Sequence, residues 1–257
     1  MKERTSFEIH QTAGANIHTG TKAGSWTLNI PAGLQGSYRL AQIDDYYHRK
    51  RKAFPWYPPM AMSLRARVSD SQIPGTWGFG LWNDPFSLSL GFGGGTRRFP
   101  ALPNAAWFFF ASPRNYISFR DDLPANGFLA QTFCAPGIPT PILALAALGM
   151  PLLLSSWFGR KIRSLLRRVI TEESRVLDVD VTQWHSYTLE WHKESVIFKV
   201  DNQTVQTRIT PQGPLGLVFW IDNQYAAFYP NGKLAYGTLE NPNAAWLEIE
   251  ILSTQIF

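Results

Sequence analysis

Short runs of aromatic and β-branched residues, separated by clusters of glycine, proline and asparagine, recur along most of this chain. Such runs predict β-strands joined by turns. The predicted strands are residues 25–30, 62–68, 77–82, 106–111, 116–120, 187–191, 196–200, 215–221 and 246–252. Because almost no helical pattern separates them, they favour an antiparallel β-sandwich over a fold built from β-α-β units. Residues 196–205 predict a hairpin around Asp201 and Asn202.

The length of 257 residues, 45% of them hydrophobic, is enough to bury a large core in one all-β domain. We therefore expect residues 1–257 to form a single domain. Only 17% of the residues are charged, which is typical of a packed protein. The ten tryptophans and 17 phenylalanines suit half-buried sheet faces or stacking surfaces.

The formal net charge of +5 is concentrated in two segments, 48–52 and 160–168. Neither segment is accompanied by a nucleic-acid-binding motif, so no nucleic-acid partner is predicted. The single cysteine, Cys134, rules out an intrachain disulfide, and the first residues lack the apolar core of a signal peptide. A cytoplasmic location is expected. His185 and His192 do not have the spacing of a metal cluster, and neither a metal nor a cofactor is predicted.

One segment, residues 138–172, departs from the strand pattern. Its first part is apolar and carries no charge up to Gly159. From Trp157 onward, apolar residues follow at spacings of three and four with arginine and lysine between them, which predicts a basic amphipathic helix. We therefore expect a helical insertion around residues 138–172.

The apolar part of the insertion is long enough on paper to cross a bilayer. If the strands on both sides of it pair within one sandwich, however, a single crossing is impossible. Three interpretations stay open: the insertion packs on the sandwich, closes over a cavity as a lid, or lies on an anionic membrane surface. The last would make the protein a peripheral membrane protein.

Several motifs, taken in order, resemble one known family. Residues 184–191 (WHSYTLEW) and 196–201 (VIFKVD) look like a strand pair of family 16 glycoside hydrolases. Residues 62–68 (MSLRARV) and 75–82 (GTWGFGLW) are similar to an earlier strand and the segment after it, and residues 246–251 (WLEIEI) to the last strand. The resemblance implies a concanavalin A-like fold, a two-sheet antiparallel jelly-roll sandwich.

The catalytic motif of that family is not found in this sequence. The family carries Glu-x-Asp-x-x-Glu on one strand, so that two carboxylates lie about 5 Å apart across a glycosidic bond. The stretch at the corresponding place is 104–111 (NAAWFFFA), which has no carboxylate. Trp107 and Phe109 should face one side of this strand and Phe108 and Phe110 the other. If the correspondence holds, the cleft has become apolar and favours an apolar guest with few polar groups.

The candidate site residues follow from this interpretation. Asp84 and Asp222 each end an apolar strand beside aromatic residues, where a carboxyl group has a raised pKa and can act as a general acid. They are the predicted catalytic residues. The predicted ligand contacts are Trp77, Trp82, Asn83, Trp107, Phe109, Trp220, Asn223 and Tyr225. The alternative interpretation is that the Asp-Asn pairs begin turns, because both residue types bond readily to nearby backbone.

Three functions fit these observations. The first is binding of an apolar or amphiphilic molecule, such as a lipid or isoprenoid, with acid/base chemistry of a cyclase, isomerase or lyase kind. The second is a carbohydrate-active protein, either a lectin-like module or a hydrolase with relocated carboxylates. Candidates for such carboxylates are Glu190, Asp201, Asp222 and Glu248. The third is a structural or interaction domain, because fold alone does not determine function.

Overall fold

The computed structural model describes residues 7–12, 14–85, 101–123, 125–138 and 155–256. These residues form sixteen strands, one α-helix and one short 3₁₀ helix at Arg51–Ala53. The strands are β1 Glu8–Gln11, β2 Asn16–Thr19, β3 Ser25–Ile30, β4 Leu40–Asp44, β5 Met60–Val68, β6 Thr76–Trp82, β7 Ala105–Ala111, β8 Gly127–Cys134, β9 Thr171–Val176, β10 His185–Trp191, β11 Val196–Val200, β12 Gln203–Thr207, β13 Gly216–Asp222, β14 Gln224–Phe228, β15 Leu234–Thr238 and β16 Ala245–Ile256. The helix, α1, is Ser156–Val169.

Two seven-stranded antiparallel sheets form a sandwich. The first sheet has the order β1-β4-β13-β6-β7-β8-β9, and the second has the order β12-β11-β10-β5-β16-β3-β2. Runs of consecutive strands such as β6-β7-β8-β9 are joined by pairs that are distant in sequence, as in β13 beside β6 and β16 beside β5. The predicted all-β jelly-roll sandwich is confirmed.

The core between the sheets is aromatic. Phe79 and Phe108 of the first sheet contact Tyr187 of the second, with ring centroids 5.0 and 5.1 Å apart. Phe108 also meets Phe198, at 5.2 Å. Successive side chains of a strand point to opposite faces, so every second residue of β6, β7 and β13 enters this core. Burial of these rings is the main stabilising contribution to the sandwich.

The other residues of the same strands form a second apolar cluster on the far side of the first sheet, which we call the outer face. Its centre consists of Trp107, Phe109, Val218 and Trp220, all of them buried. Strands buried on both faces should be apolar without alternation, and β7 and β13 read that way in the sequence.

The structure corrects two details of the predicted elements. Residues 116–120 form no strand, and only an isolated bridge joins Tyr116 to Ala227. In the described part of the predicted insertion, the helix is Ser156–Val169, and strand β9 already begins at Thr171. Its residues 139–154 lie outside the described part of the chain. In the part that is described, no helix has the length and apolar character needed to cross a membrane.

Candidate functional site

Four aromatic side chains cover the centre of the outer face. Trp82 and Trp220 lie parallel, with an angle of 5° between the rings and 6.2 Å between their centroids. Trp107 stacks on Phe109 at 5.2 Å and contacts Trp220 at 5.6 Å. We call these four residues the aromatic layer. Trp107 and Phe109 are each 3% exposed and Trp220 is 7% exposed, and Leu129 and Phe133 of β8 belong to the same cluster.

Glycines in β6 make room for the aromatic layer. A Cβ atom at Gly78 would lie 2.8 Å from Cη2 of Trp220 and 2.5 Å from the carbonyl oxygen of Phe108. A Cβ at Gly80 would lie 2.7 Å from Cβ of Trp107. The two glycines therefore let tryptophans of the neighbouring strands lie across the middle of β6, which is the structural reason for the GTWGFGLW pattern.

Asp222 ends β13 at the rim of the aromatic layer, two residues after Trp220 on the same face. Its Oδ1 accepts hydrogen bonds from the Thr76 hydroxyl at 2.9 Å, the Thr76 amide at 3.2 Å and the Gln224 amide at 3.2 Å. The Tyr38 hydroxyl donates to Oδ2 at 3.3 Å. The bond to Gln224 is the turn-forming contact that the alternative interpretation predicts. Asp222 therefore ends a strand and also carries a buried carboxyl group on the outer face.

Burial dominates the protonation of Asp222. The loss of solvation raises its pKa to about 7, although hydrogen bonds from Thr76, Gln224 and Tyr38 act in the opposite direction. Burial, together with the nearby Asp222 carboxylate, also raises the pKa of the Tyr38 hydroxyl well above its usual value. A carboxyl group that titrates near neutrality can donate a proton at physiological pH and accept it back.

A second group of polar side chains crosses the outer face on β8 and β9. Gln131 and Ser174 are paired across these strands, and Glu172 is two residues before Ser174 on the same face. Gln131 Oε1 accepts a hydrogen bond from the Trp107 indole at 3.1 Å. Gln131 Nε2, Ser174 Oγ and Glu172 Oε2 are buried without any hydrogen-bond partner. We call these three residues the polar row.

Unpartnered buried polar atoms are uncommon, because each costs about 1–3 kcal/mol when it loses water without a replacement. Three of them on adjacent strands beside a tryptophan indicate a place for a ligand or for ordered water. The other carboxylate oxygen of Glu172 is fully engaged, since Oε1 accepts bonds from the Ser118 hydroxyl and from the amides of Phe119 and Arg120. Burial raises the pKa of Glu172 as well.

Three predicted ligand contacts have structural roles instead. Trp77 points into the core, where it stacks on Phe110 at 5.6 Å and on Phe128 at 4.9 Å. The alternation along β6 places it on the face opposite to Trp82, so Trp77 does not lie on the outer face. The side-chain amides of Asn83 and Asn223 are hydrogen-bonded to backbone groups. Asn83 bridges Leu102 and Asn104, while Asn223 bonds to backbone of Ser37, Arg39 and Leu239.

Asp84 and Asp222 lie at opposite ends of the first sheet. Thr76 pairs with Asp222 and Trp82 pairs with Gly216, so the whole of β6 separates the two aspartates. At about 3.3 Å per residue this distance is roughly 20 Å. Asp84 is buried at φ 50°, and its backbone oxygen accepts a bond from Arg51 at 2.5 Å. The two carboxyl groups therefore cannot act together on one small molecule.

Tyr225 lies on the hairpin of β14 and β15, beyond the end of β13. Its ring is half-buried beneath the guanidinium of Arg114 at 4.9 Å, and it faces Gly237 across the hairpin. The structure thus brings Trp82, Trp107, Phe109, Trp220 and Asp222 onto one face. It does not add Tyr225 to the aromatic layer.

The sequence interpretation missed Tyr38, Thr76 and the polar row. Gln131, Ser174 and Glu172 lie on two strands, β8 and β9, that were not predicted, and their proximity depends on the pairing register. Residues 129–133 read LAQTF, without alternation of polar and apolar residues, so no local pattern pointed to Gln131. No group of three or more histidine, cysteine or acidic side chains capable of holding a metal occurs among the described residues.

A cleft of about 440 Å³ opens at the β9 edge of the first sheet and reaches Glu172. Its walls are mostly charged and include Arg120, Asp121, Asp122 and Arg167, with Ile170 and Ile209 beside them. The Asp122 carboxylate is exposed and bonds to Arg120, which lowers its pKa to about 2. Glu172, at one end of the polar row, therefore lines this cleft, while its Oε2 atom is buried.

No protein-family model matches the chain, and no curated protein matches it. Among solved structures, the chain is similar to a glycoside hydrolase family protein from Mycobacterium thermorestibile at 14% identity, covering 91% of this chain and 77% of that one with a TM-score of 0.47. It is also similar to a legume lectin-like domain from Entamoeba histolytica at 7% identity, covering 98% of this chain and 90% of that one with a TM-score of 0.48. A third similar structure is a Bacillus licheniformis β-glucanase, at 11% identity, covering 98% of this chain and 92% of that one with a TM-score of 0.45. At identities of 7–14%, these similarities concern the fold alone.

Proposed function

We propose that the protein binds an amphiphilic small molecule on the outer face of the first sheet and that Asp222 supplies acid/base chemistry to it. The observation that carries this proposal is a buried carboxyl group with a pKa of about 7 at the rim of the aromatic layer. Tryptophan and phenylalanine rings suit the apolar part of such a molecule. A hydroxyl or carbonyl oxygen is the group that Asp222 would engage.

The chemistry of Asp222 follows from its surroundings. Below pH 7 the neutral acid prevails and donates a hydrogen bond or a proton to an oxygen atom of the ligand. Thr76 and Gln224 hold Oδ1, so Oδ2 beside the Tyr38 hydroxyl is the oxygen left for this task. Neighbouring aromatic rings exclude water and can stabilise positive charge that develops on the ligand.

The polar row favours a second candidate, carbohydrate binding. Gln131 Nε2 is a donor, Glu172 Oε2 an acceptor and Ser174 Oγ either, and Gln131 lies beside the ring of Trp107, to which it is hydrogen-bonded. Sugar hydroxyls need such a mixture of donors and acceptors beside an aromatic ring. β7 has no carboxylate, so a hydrolytic version of this candidate would need its catalytic pair on other strands.

One binding experiment separates the two candidates. Isothermal titration calorimetry with farnesol, an isoprenoid alcohol, and with cellotetraose, a soluble oligosaccharide, should show binding of farnesol only. Farnesol affinity should fall at least fivefold between pH 6 and pH 8, because the donor form of Asp222 is lost through pH 7. The variant Asp222→Asn should bind farnesol with no dependence on pH in this interval.

The matched control is Asp70→Asn, which replaces an exposed aspartate in a turn and should keep the wild-type pH profile. Tyr38→Phe removes the hydroxyl that bonds to Oδ2 and gives a second variant should Asp222→Asn unfold. Binding of cellotetraose without farnesol would refute the first candidate and support the second. A pH profile unchanged in Asp222→Asn would remove Asp222 from the site.

A further inference from the structure

Helix α1 presents three of its apolar side chains to solvent. Trp157 is 54% exposed and Leu165 is 60% exposed, and Phe158 beside them is also exposed. The buried residues of the helix are Gly159 and Arg163. Leu166 packs against the outer-face cluster, and Ile162 and Val169 are half-buried. The helix is therefore apolar on its packed side, as is usual for a surface helix, and carries a second apolar group on its exposed side.

Arg163 holds the helix in this orientation. Its guanidinium donates to the carbonyl oxygens of Phe228, Ser118 and Arg120 and to the Asp121 carboxylate, the last at 3.1 Å. It also lies over the Tyr116 ring, with 5.2 Å to the centroid. A buried arginine with this number of partners cannot rotate outward without leaving several acceptors unsatisfied.

A close backbone contact sets the same orientation. A Cβ at Gly159 would meet the carbonyl of Gly232 in the turn between β14 and β15, so only glycine allows the helix to approach that turn. Gly159 and Arg163 are one turn apart and define the buried side of α1. The side with Trp157 and Leu165 therefore faces outward because of specific contacts beneath the helix.

The outward side alternates apolar and cationic residues. Trp157, Lys161, Leu165 and Arg168 follow at spacings of four, four and three, so they form a single stripe along the helix, and all four are exposed. The Lys161 ammonium lies 5.7 Å from the centroid of the Trp157 ring. Residues 156–169 contain no aspartate or glutamate. The stripe combines a tryptophan, aliphatic surface and positive charge without any compensating acid.

We propose that α1 docks on an anionic membrane surface through Trp157, Phe158, Lys161, Leu165 and Arg168. Tryptophan and leucine enter the boundary between headgroups and acyl chains, and lysine and arginine pair with anionic headgroups. Charge complementarity favours this occupant over an apolar protein groove, since two cations lie within the apolar stripe itself. The proposal is independent of ligand binding at the outer face.

Co-sedimentation with vesicles tests the proposal. The full chain should bind vesicles of three parts phosphatidylcholine to one part phosphatidylserine and should bind pure phosphatidylcholine at least tenfold more weakly. The double variant Lys161→Glu/Arg168→Glu should lower the partition coefficient on anionic vesicles by about 20-fold or more. Trp157→Ser/Leu165→Ser should lower it by about tenfold, because less apolar surface enters the interface.

Matched controls replace exposed residues elsewhere. Lys193→Glu, in the turn between β10 and β11, and Leu34→Ser should retain at least half of the wild-type partition coefficient. Failure of the wild-type chain to bind anionic vesicles, or unchanged binding of the α1 variants, would overturn the proposal. So would sedimentation equilibrium that shows dimerisation lost in Trp157→Ser/Leu165→Ser, since a second copy of the chain would then occupy the stripe.

Discussion

At the scale of single residues, the outer face depends on two glycines, which have no side chain, as much as on its aromatic residues. Gly78 and Gly80 leave the space in which Trp220 and Trp107 lie across β6. The sequence shows these glycines but does not show why they are needed, because the rings that cover them come from distant positions in the chain. Trp220 lies opposite Gly78, 142 residues away, and Trp107 lies opposite Gly80, 27 residues away. A glycine inside a strand predicts that another group lies close to the backbone there, but it does not identify that group.

Gly78→Ala should therefore destabilise the protein. The added methyl group would meet Cη2 of Trp220 at 2.8 Å and the Phe108 carbonyl at 2.5 Å, and the second of these is backbone that cannot turn aside. Overpacking of this kind costs about 1–3 kcal/mol. Urea denaturation followed by circular dichroism measures the change. Gly137→Ala, where the methyl group meets nothing within 4 Å, is the control and should stay within about 0.5 kcal/mol of wild type.

At the scale of elements, α1 shows why periodicity did not determine which side of the helix is buried. Apolar spacings of three and four predict a helix, and a helix is present at Ser156–Val169. The same spacings suggest that Phe158, Ile162, Leu165 and Leu166 form one inward side. Leu166 does pack against the outer-face cluster, but Phe158 and Leu165 are exposed. The structure instead buries Arg163, because the carbonyls of Ser118, Arg120 and Phe228 converge on its position from two other segments.

Arg163→Met should loosen α1 and the segment beneath it. The methionine keeps much of the buried volume but leaves three carbonyl oxygens without this donor, for a cost of about 3 kcal/mol. Hydrogen exchange should speed up in both α1 and residues 116–122. Arg160→Met replaces an exposed arginine with one bond of 3.3 Å, to Asn231, and should leave exchange unchanged. Equal effects of the two variants would contradict a special role for Arg163.

At the scale of the whole molecule, the sandwich buries ionisable groups at both ends of the first sheet. Burial raises the pKa of Asp45, as it does that of Asp222, to about 7. Asp45 accepts bonds from the Trp56 indole at 2.5 Å and the Leu217 amide at 2.9 Å. Both carboxyl groups have an ordinary value of 3.8, so the folded protein binds more protons than the unfolded chain between pH 3.8 and about 7.

The free energy of unfolding should consequently fall as pH rises through this window. A raised pKa in the folded state contributes stability that is complete below pH 3.8 and is lost by the time the pH has passed 7. Each carboxyl group contributes about 1.4 kcal/mol for each pH unit inside the window. Urea denaturation at pH 5, 6, 7 and 8 measures the slope, which should become shallower in Asp222→Asn and in Asp45→Asn. Slopes equal to that of wild type would show that neither group is protonated in the folded protein.

The sequence alone determined the fold class, because alternation of strand formers and turn residues is a local property that any sandwich must satisfy. It also placed Trp107 and Phe109 on one side of β7 and Phe108 and Phe110 on the other, since side chains alternate along every strand. Only the tertiary structure decided which side is the core, which strands are neighbours and how deeply Asp222 is buried. Pairing of strands far apart in the chain places Gln131 beside Ser174, separates Asp84 from Asp222, and turns Trp157 to solvent. These outcomes depend on long-range register and desolvation, which local sequence patterns do not encode.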